Sequence, residues 1–135
     1  MHNFYRSEIV GANIPNLSYS LPIEASSQAY ANFLAANLLF QHSDTDYGEN
    51  LWMGPAGVSP TSMISAFGDE KQYFINGAFP AVSTTGNWKD VGHYTQIIWR
   101  DTTSVGCAGA LGSDRRYRYV CQYDPPGNYY GEFAY

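Results

Sequence analysis

The sequence predicts an α+β fold, and three observations carry that reading. Apolar residues recur at helical spacing through the first half of the chain, where Ser20 and Ser59 stand just ahead of the helix-opening residues Pro22 and Pro60. Two alternating segments, Ser104 to Leu111 and Tyr117 to Tyr123, come late and read as antiparallel strands joined through Gly112 to Arg116. Cys107 and Cys121 lie symmetrically about Asp114, the middle of that turn, so a regular hairpin sets them opposite each other within disulfide reach. At 135 residues the chain fits one domain, residues 1–135, long enough to bury a core.

Taken in order, Phe4, Tyr5, Ile9 and Val10 define a first helix from His2 to Val10, stopped by Gly11. His2 and Arg6 share one face of it, where a polar contact and plain solvation both fit. Pro15 marks a turn, and Leu17 to Tyr19 reads as a short strand. Ser20 and Pro22 then start the longest helix, with Glu24 at its positive end. It runs to about Phe40, and its stripe of Ala29, Phe33, Ala36 and Phe40 is expected to pack on a sheet. Gln41 to Asn50 is a polar loop, followed by a strand-like run, Leu51 to Met53. Ser59 caps and Pro60 opens another helix, which carries Met63, Ile64, Phe67, Glu70, Lys71 and Phe74. Gly77 to Asp90 lacks a period and is expected to be irregular. Val91 to Trp99 leans towards strand by propensity. The tail from Asp124 is too interrupted by proline and glycine for regular structure and too aromatic for a free end, so it is expected to wrap the body.

Composition excludes several classes of function. The formal net charge is −5 and only seven residues are Lys or Arg, so the chain lacks the clustered cations that a nucleic-acid backbone requires. The one basic run, Arg115, Arg116 and Arg118, reads as a solvated hairpin tip. No segment approaches the roughly 20 apolar residues of a membrane span. Charged residues make up 14% of the chain against 16% aromatics, twelve of them tyrosines, so the surface is largely neutral and polar.

Candidate chemistry gathers at two places. His93 lies in Val-Gly-His-Tyr-Thr-Gln-Ile-Ile-Trp, an imidazole among aromatic and branched apolar neighbours, where a metal ligand and a satisfied core histidine are both open readings. His42 and Glu49 lie in the polar loop, among carboxylates that also suit a solvated turn. Glu70 either projects from an apolar helix face or pairs at the surface.

Several separated pieces together resemble the CAP superfamily of cysteine-rich secretory, antigen 5 and pathogenesis-related 1 proteins, in a single-domain form of bacterial type. The string Gly92 to Trp99 is similar to that family's principal signature. His42-Ser43 followed by Gly48-Glu49-Asn50-Leu51 is similar to its first cavity motif, and Cys121 to Asn128 to its closing one, with Val105-Gly106-Cys107 between. The resemblance implies a three-layer α-β-α sandwich around a small antiparallel sheet, and a short helix rather than a strand leading into Trp99. It also implies a cavity lined by His42, Glu49, Glu70 and His93, with Phe67 where the family usually has tryptophan. Asn3 and Arg6 match its first-helix pattern so close to Met1 that a removed leader, and a secreted or extracytoplasmic protein, are expected.

Two neutral imidazoles with an incomplete protein shell suit a divalent metal, with zinc the expected ion, held by His42 and His93. Glu49, Glu70, Asn50, Tyr94 and Gln96 are the expected cavity-lining and ligand-orienting residues. Resemblance favours a binding or interaction module over an enzyme, with a lipid or sterol ligand and a protein or cell-surface partner as the classes it implies. The alternative is a metal-dependent peptidase or esterase using a metal-bound water. Against it, the sequence has neither a His-Glu-x-x-His helix nor a recognisable Ser or Cys nucleophile.

Overall fold

In the computed structural model, which describes residues 1–135, four strands form one sheet: β1 (Ser18–Tyr19), β2 (Gly48–Pro55), β3 (Ser104–Leu111) and β4 (Arg116–Asp124). Their order is β1-β3-β4-β2, with β1 parallel to β3 and the other pairs antiparallel. The hairpin β3–β4 is therefore its centre, and in it Cys107 stands opposite Cys121 and is joined to it by a disulfide. With the two cysteines 14 positions apart in sequence, the closed loop stabilises the fold by about 3 kcal/mol in the chain-entropy model.

Side-chain alternation divides the sheet into two faces. Val105, Tyr119, Cys121 and Tyr123 join the main core with Tyr5 of α1 (His2–Ser7), Met63, Ile64 and Phe67 of α3 (Pro60–Gly68), and Tyr94, Ile97 and Ile98 of α4 (Gly92–Ile98). On the other face Leu51 and Val120 pack against Ala31 and Leu34 of α2 (Leu21–Asn37). This is the three-layer α-β-α sandwich. Helix α2 comes closest at Gly106, where a Cβ would fall on the backbone of Ile23 and Glu24 and where Ser27 Oγ donates to the Gly106 carbonyl at 2.8 Å.

Several expectations need correction. Helix α1 stops at Ser7, and α2 ends at Asn37 with Leu38 left-handed. The side of α2 that meets the sheet is Ile23, Ser27, Ala31, Leu34 and Ala35, whereas Ala29, Phe33, Ala36 and Phe40 are exposed. This helix is apolar on both sides, so period alone does not choose between them; the small residues at 27, 31 and 35 let the sheet approach. Strand β2 starts at Gly48 and so takes Glu49 and Asn50 out of the expected loop. Two 3-10 turns, Asp69–Tyr73 and Trp88–Asp90, extend α3 and interrupt the stretch expected to be irregular.

Nor is the basic run simply solvated. Arg118 is buried, with Nη1 and Nη2 donating to the Asp114 carboxylate at 2.8 and 2.9 Å and Nε to the Leu39 carbonyl at 2.9 Å. Arg6 is buried too, and its guanidinium donates to the carbonyls of Pro15, Ile97, Trp99, Arg100 and Thr102, which ties α1 to the end of α4. The tail does wrap the body: Phe79 and Glu132 share a backbone hydrogen bond, as do Arg100 and Ala134.

His2 is buried beneath the sheet, 2.8 Å from the Tyr123 hydroxyl. Asn50 Nδ2 donates to that same hydroxyl at 3.0 Å, so the phenolic proton points to His2 Nε2, which accepts only in the neutral imidazole. Burial, then the charges of the chain's amino terminus and of Arg6, lowers the His2 pKa from 6.5 to about 4. A histidine with a depressed native pKa contributes stability that is present above its unfolded value and is lost as pH falls through the window down to the native one. Chemical denaturation at stepped pH should show stability dropping between pH 6.5 and 4, with roughly 3 kcal/mol from this residue. The His2→Leu variant should flatten that slope; an identical slope in the variant would remove His2 as its cause.

Candidate functional site

Helix α4 has strand-forming residues and no capping side chain of its own. The cap comes from elsewhere: Glu70, on the 3-10 turn after α3, presents Oε2 to the backbone N–H groups of His93 and Tyr94 at 3.0 and 3.1 Å. A carboxylate there satisfies two orphan donors and complements the positive end of the helix. Its other oxygen, Oε1, lies 2.6 Å from His93 Nδ1. Phe67 stacks on the His93 ring with centroids 4.7 Å apart and planes inclined by 21°, so the residue standing in for the family's tryptophan fixes the plane of the imidazole.

The second pair comes from the other end of the cavity. Glu49, at the start of β2, has four donors: His42 Nδ1 at 2.9 Å and the Ser43 N–H at 3.0 Å on one oxygen, Ser43 Oγ at 2.7 Å and Gln122 Nε2 at 3.0 Å on the other. Burial disfavours its ionisation, but the bonds from His42, Gln122 and Ser43 outweigh that and hold its pKa below the usual carboxylate value. The side chain of Glu49 is 5% exposed and that of His42 66%, so the acid is anchored and the imidazole reaches outward.

His42, Glu49, Asn50 and His93 line one cavity of about 480 Å³, together with Phe40, Gln41, Leu51, Trp88, Lys89, Gly92 and Asn128. A carboxylate can only accept, so in each neutral imidazole Nδ1 carries the proton and Nε2 keeps its lone pair. Neither Nε2 has a hydrogen-bond partner in the protein. That donor set fits a divalent metal: His42 and His93 would hold it, while Glu49 and Glu70 orient them from behind. The carboxylates do not gather at ligand distance, since the one trio with ligand atoms within 4.8 Å is His2, Cys107 and Cys121, whose sulfurs are spent in the disulfide.

Other expected residues serve at one remove. Asn50 lines the cavity and donates from Nδ2 to the His93 carbonyl at 3.1 Å as well as to Tyr123. Glu70, Tyr94 and Gln96 do not line it; Glu70 stands behind His93, on the 3-10 turn after α3. Tyr94 is core, edge-on to Tyr5 and Phe74, with its phenol pushed up to about 12 by burial. Gln96 is buried, donates to Thr102 Oγ1 at 3.1 Å and accepts from the Gly127 N–H at 2.9 Å, which anchors the closing segment. That segment delivers Asn128, whose Nδ2 donates to the Gly92 carbonyl and whose Oδ1 accepts from Thr95. Sequence reasoning passed over Gln122, Ser43, Trp88, Lys89 and Asn128; for Asn128, its place at the end of the closing motif was the available signal.

The fold and this pairing of histidines with carboxylates define the class. A family model described as the cysteine-rich secretory protein family, CAP, matches residues 1–123, and the chain belongs to that family. Among its relatives, pathogenesis-related protein 1A of Nicotiana tabacum is 36% identical over 135 residues, covering 99% of this chain and 76% of that protein. Pathogenesis-related protein PR-1 of Medicago truncatula is 41% identical over 111 residues, covering 81% of this chain but only 62% of that protein. Of solved structures, NaASP2 with Zn2+ matches at a TM-score of 0.79 with 25% identity, over 99% of this chain and 80% of that one. BmVAL-1 matches at 0.76, also with 25% identity, over 99% and 77%.

Removing the borrowed cap should cost more than a surface ion pair would. Glu70→Ala is expected to destabilise the protein by about 2 kcal/mol, the upper end for a lost helix cap, and Glu70→Gln by less, because an amide oxygen still accepts. Urea melts of the three proteins measure it; a loss within error for Glu70→Ala would mean α4 does not depend on this contact.

Proposed function

We propose that the protein is a secreted-type CAP binding module whose cavity takes a divalent metal, zinc first, on His42 and His93 and recognises its ligand there. The observation that carries this is the matched pair of histidines, each with Nδ1 tied to a carboxylate and Nε2 left free on a shared cavity. The similarity to a structure that includes Zn2+ supports zinc as the ion. Bound there, a divalent ion supplies Lewis acidity and exchangeable positions for an oxygen ligand.

The same contacts argue for binding over hydrolysis. A general base needs a free lone pair and a pKa near working pH. Glu49 has four donors and a lowered pKa, and Glu70 accepts from three nitrogens. Glu49 has no acceptor site to spare, and Glu70 does not line the cavity, so neither is placed to take a proton from a water there. The aromatic and aliphatic members of the lining, Phe40, Leu51 and Trp88, support a ligand with an apolar part, the class to which lipids and sterols belong. Membership of the cysteine-rich secretory protein family supports delivery outside the cell.

Zinc titration by calorimetry at neutral pH should give one site per chain in metal-stripped protein, and none in the doubly substituted His42→Ala, His93→Ala protein. Affinity should fall on acidification, as protons compete for the same nitrogens. Undetectable binding, or binding unchanged in the double variant, would show that the cavity is not a metal site.

A further inference from the structure

Away from the cavity, one short stretch carries a signal that neither the fold nor the site uses. Asn16-Leu17-Ser18 has the form Asn-x-Ser with x other than proline, the acceptor pattern for an N-linked glycan in a secreted chain. No other asparagine of the chain is followed two positions on by serine or threonine. So short a pattern also arises by chance, and its setting in the fold decides what it is worth.

That setting suits a glycan. Asn16 and Ser18 are exposed while Leu17 between them is buried, so both outer members of the triplet face solvent. The stretch is held on either side: the Pro15 carbonyl accepts from Arg6 Nε at 2.7 Å, and Asn3 meets both backbone groups of Leu17, Oδ1 accepting from its N–H at 2.8 Å and Nδ2 donating to its carbonyl at 3.1 Å. Asn3, Asn50, Asn87 and Asn128 spend their side chains on contacts of this kind, whereas the Asn16 amide and the Ser18 hydroxyl bond to no protein group. Ser18 opens β1, an outer strand of the sheet, so no strand lies beyond it. The strand that brings Glu49, Asn50 and Leu51 to the cavity, β2, is the opposite edge, and a chain of sugars at Asn16 starts from the far side of the sheet.

We propose that Asn16 is an N-glycan acceptor and that the protein carries an oligosaccharide at the β1 edge of its sheet. This rests on the extracellular reading above, which takes the chain through the compartment where the transfer occurs, and adds a covalent site to it. The co-reactant is a lipid-pyrophosphate-linked oligosaccharide. Asn16 Nδ2 gives up one proton and forms a bond to the anomeric carbon of the first sugar. The bond from that carbon to the pyrophosphate oxygen breaks, and the lipid pyrophosphate leaves with the electron pair. The product is a bulky, neutral and solubilising surface group, and no contact of the fold is given up to make it.

Cell-free translation of the full chain behind a signal peptide, with microsomes from the endoplasmic reticulum, tests this. Only the protease-protected, lumenal product is read, which separates the competence of Asn16 from natural secretion. Expected is a product heavier by one oligosaccharide that returns to the bare mass with peptide-N-glycosidase. That enzyme leaves an aspartate where the glycan stood, so peptide masses map the site to position 16. Asn16→Gln and Ser18→Ala should each abolish the shift completely, and Ser18→Thr should keep it. Because the fold uses neither side chain, the unglycosylated variants should unfold in urea with the parent protein, so the loss reports the acceptor and not misfolding. A lumenal product of bare mass, or a shift that survives Asn16→Gln or Ser18→Ala, overturns this proposal and leaves the secreted binding module standing. Absence of the protein from the medium of the cells that naturally make it overturns both.

Discussion

Two largely buried carboxylates hold the site of this protein in shape. Glu70 reaches from the turn after α3 to cap α4 and to engage His93 Nδ1 with its two oxygens. Glu49 reaches from the edge strand to engage His42 and Ser43 while Gln122 braces it from β4. In both pairs the acid is the more buried member and the imidazole the more exposed one. Fixing Nδ1 from behind sets the tautomer and direction of each ring, so the outward nitrogen is an acceptor before any ligand arrives.

The rest of the fold supplies rigid mounts for these acids. Glu49 lies opposite Gln122 in the β2–β4 register, beside the hairpin closed by the Cys107–Cys121 bridge. Gly48 precedes it because a Cβ there would fall on the Gln96 amide, the group that also holds Gly127 and so delivers Asn128. Arg6, with its five carbonyl acceptors, fixes the far end of α4. A helix of seven residues is too short to be stable alone, and it persists here because its start is capped by Glu70 and its end is gripped by Arg6.

Much of this was legible in the residues, and the failures have physical causes. The hairpin and its disulfide followed from alternation and from the symmetry of two cysteines, signals that are local and need no tertiary knowledge. The start of α2 followed from Ser20 and Pro22 for the same reason. Which side of α2 is buried did not follow, because Ala29 and Phe33 are as apolar as Ala31 and Leu34, and the deciding contact, Gly106, lies far off in sequence. The helix at α4 ran against the propensity of Tyr94, Thr95 and Ile97; its cap belongs to a residue 23 positions away from His93, which no local window contains. The burial of Arg118 was hidden likewise, since its partner Asp114 read as a turn residue.

At the site, motif position named two histidines and two acids that the structure pairs, but it assigned Glu70, Tyr94 and Gln96 to a lining that none of them joins. What motif position could not supply is direction, namely which nitrogen of each histidine faces the cavity. Long-range 1H–15N correlation spectra of the imidazoles at neutral pH test that most directly. The account predicts the Nδ1–H tautomer for both His42 and His93, with the Nε2 resonance of each moving when zinc is added. An Nε2–H tautomer at either histidine, or zinc-induced shifts confined to Nδ1, would contradict it.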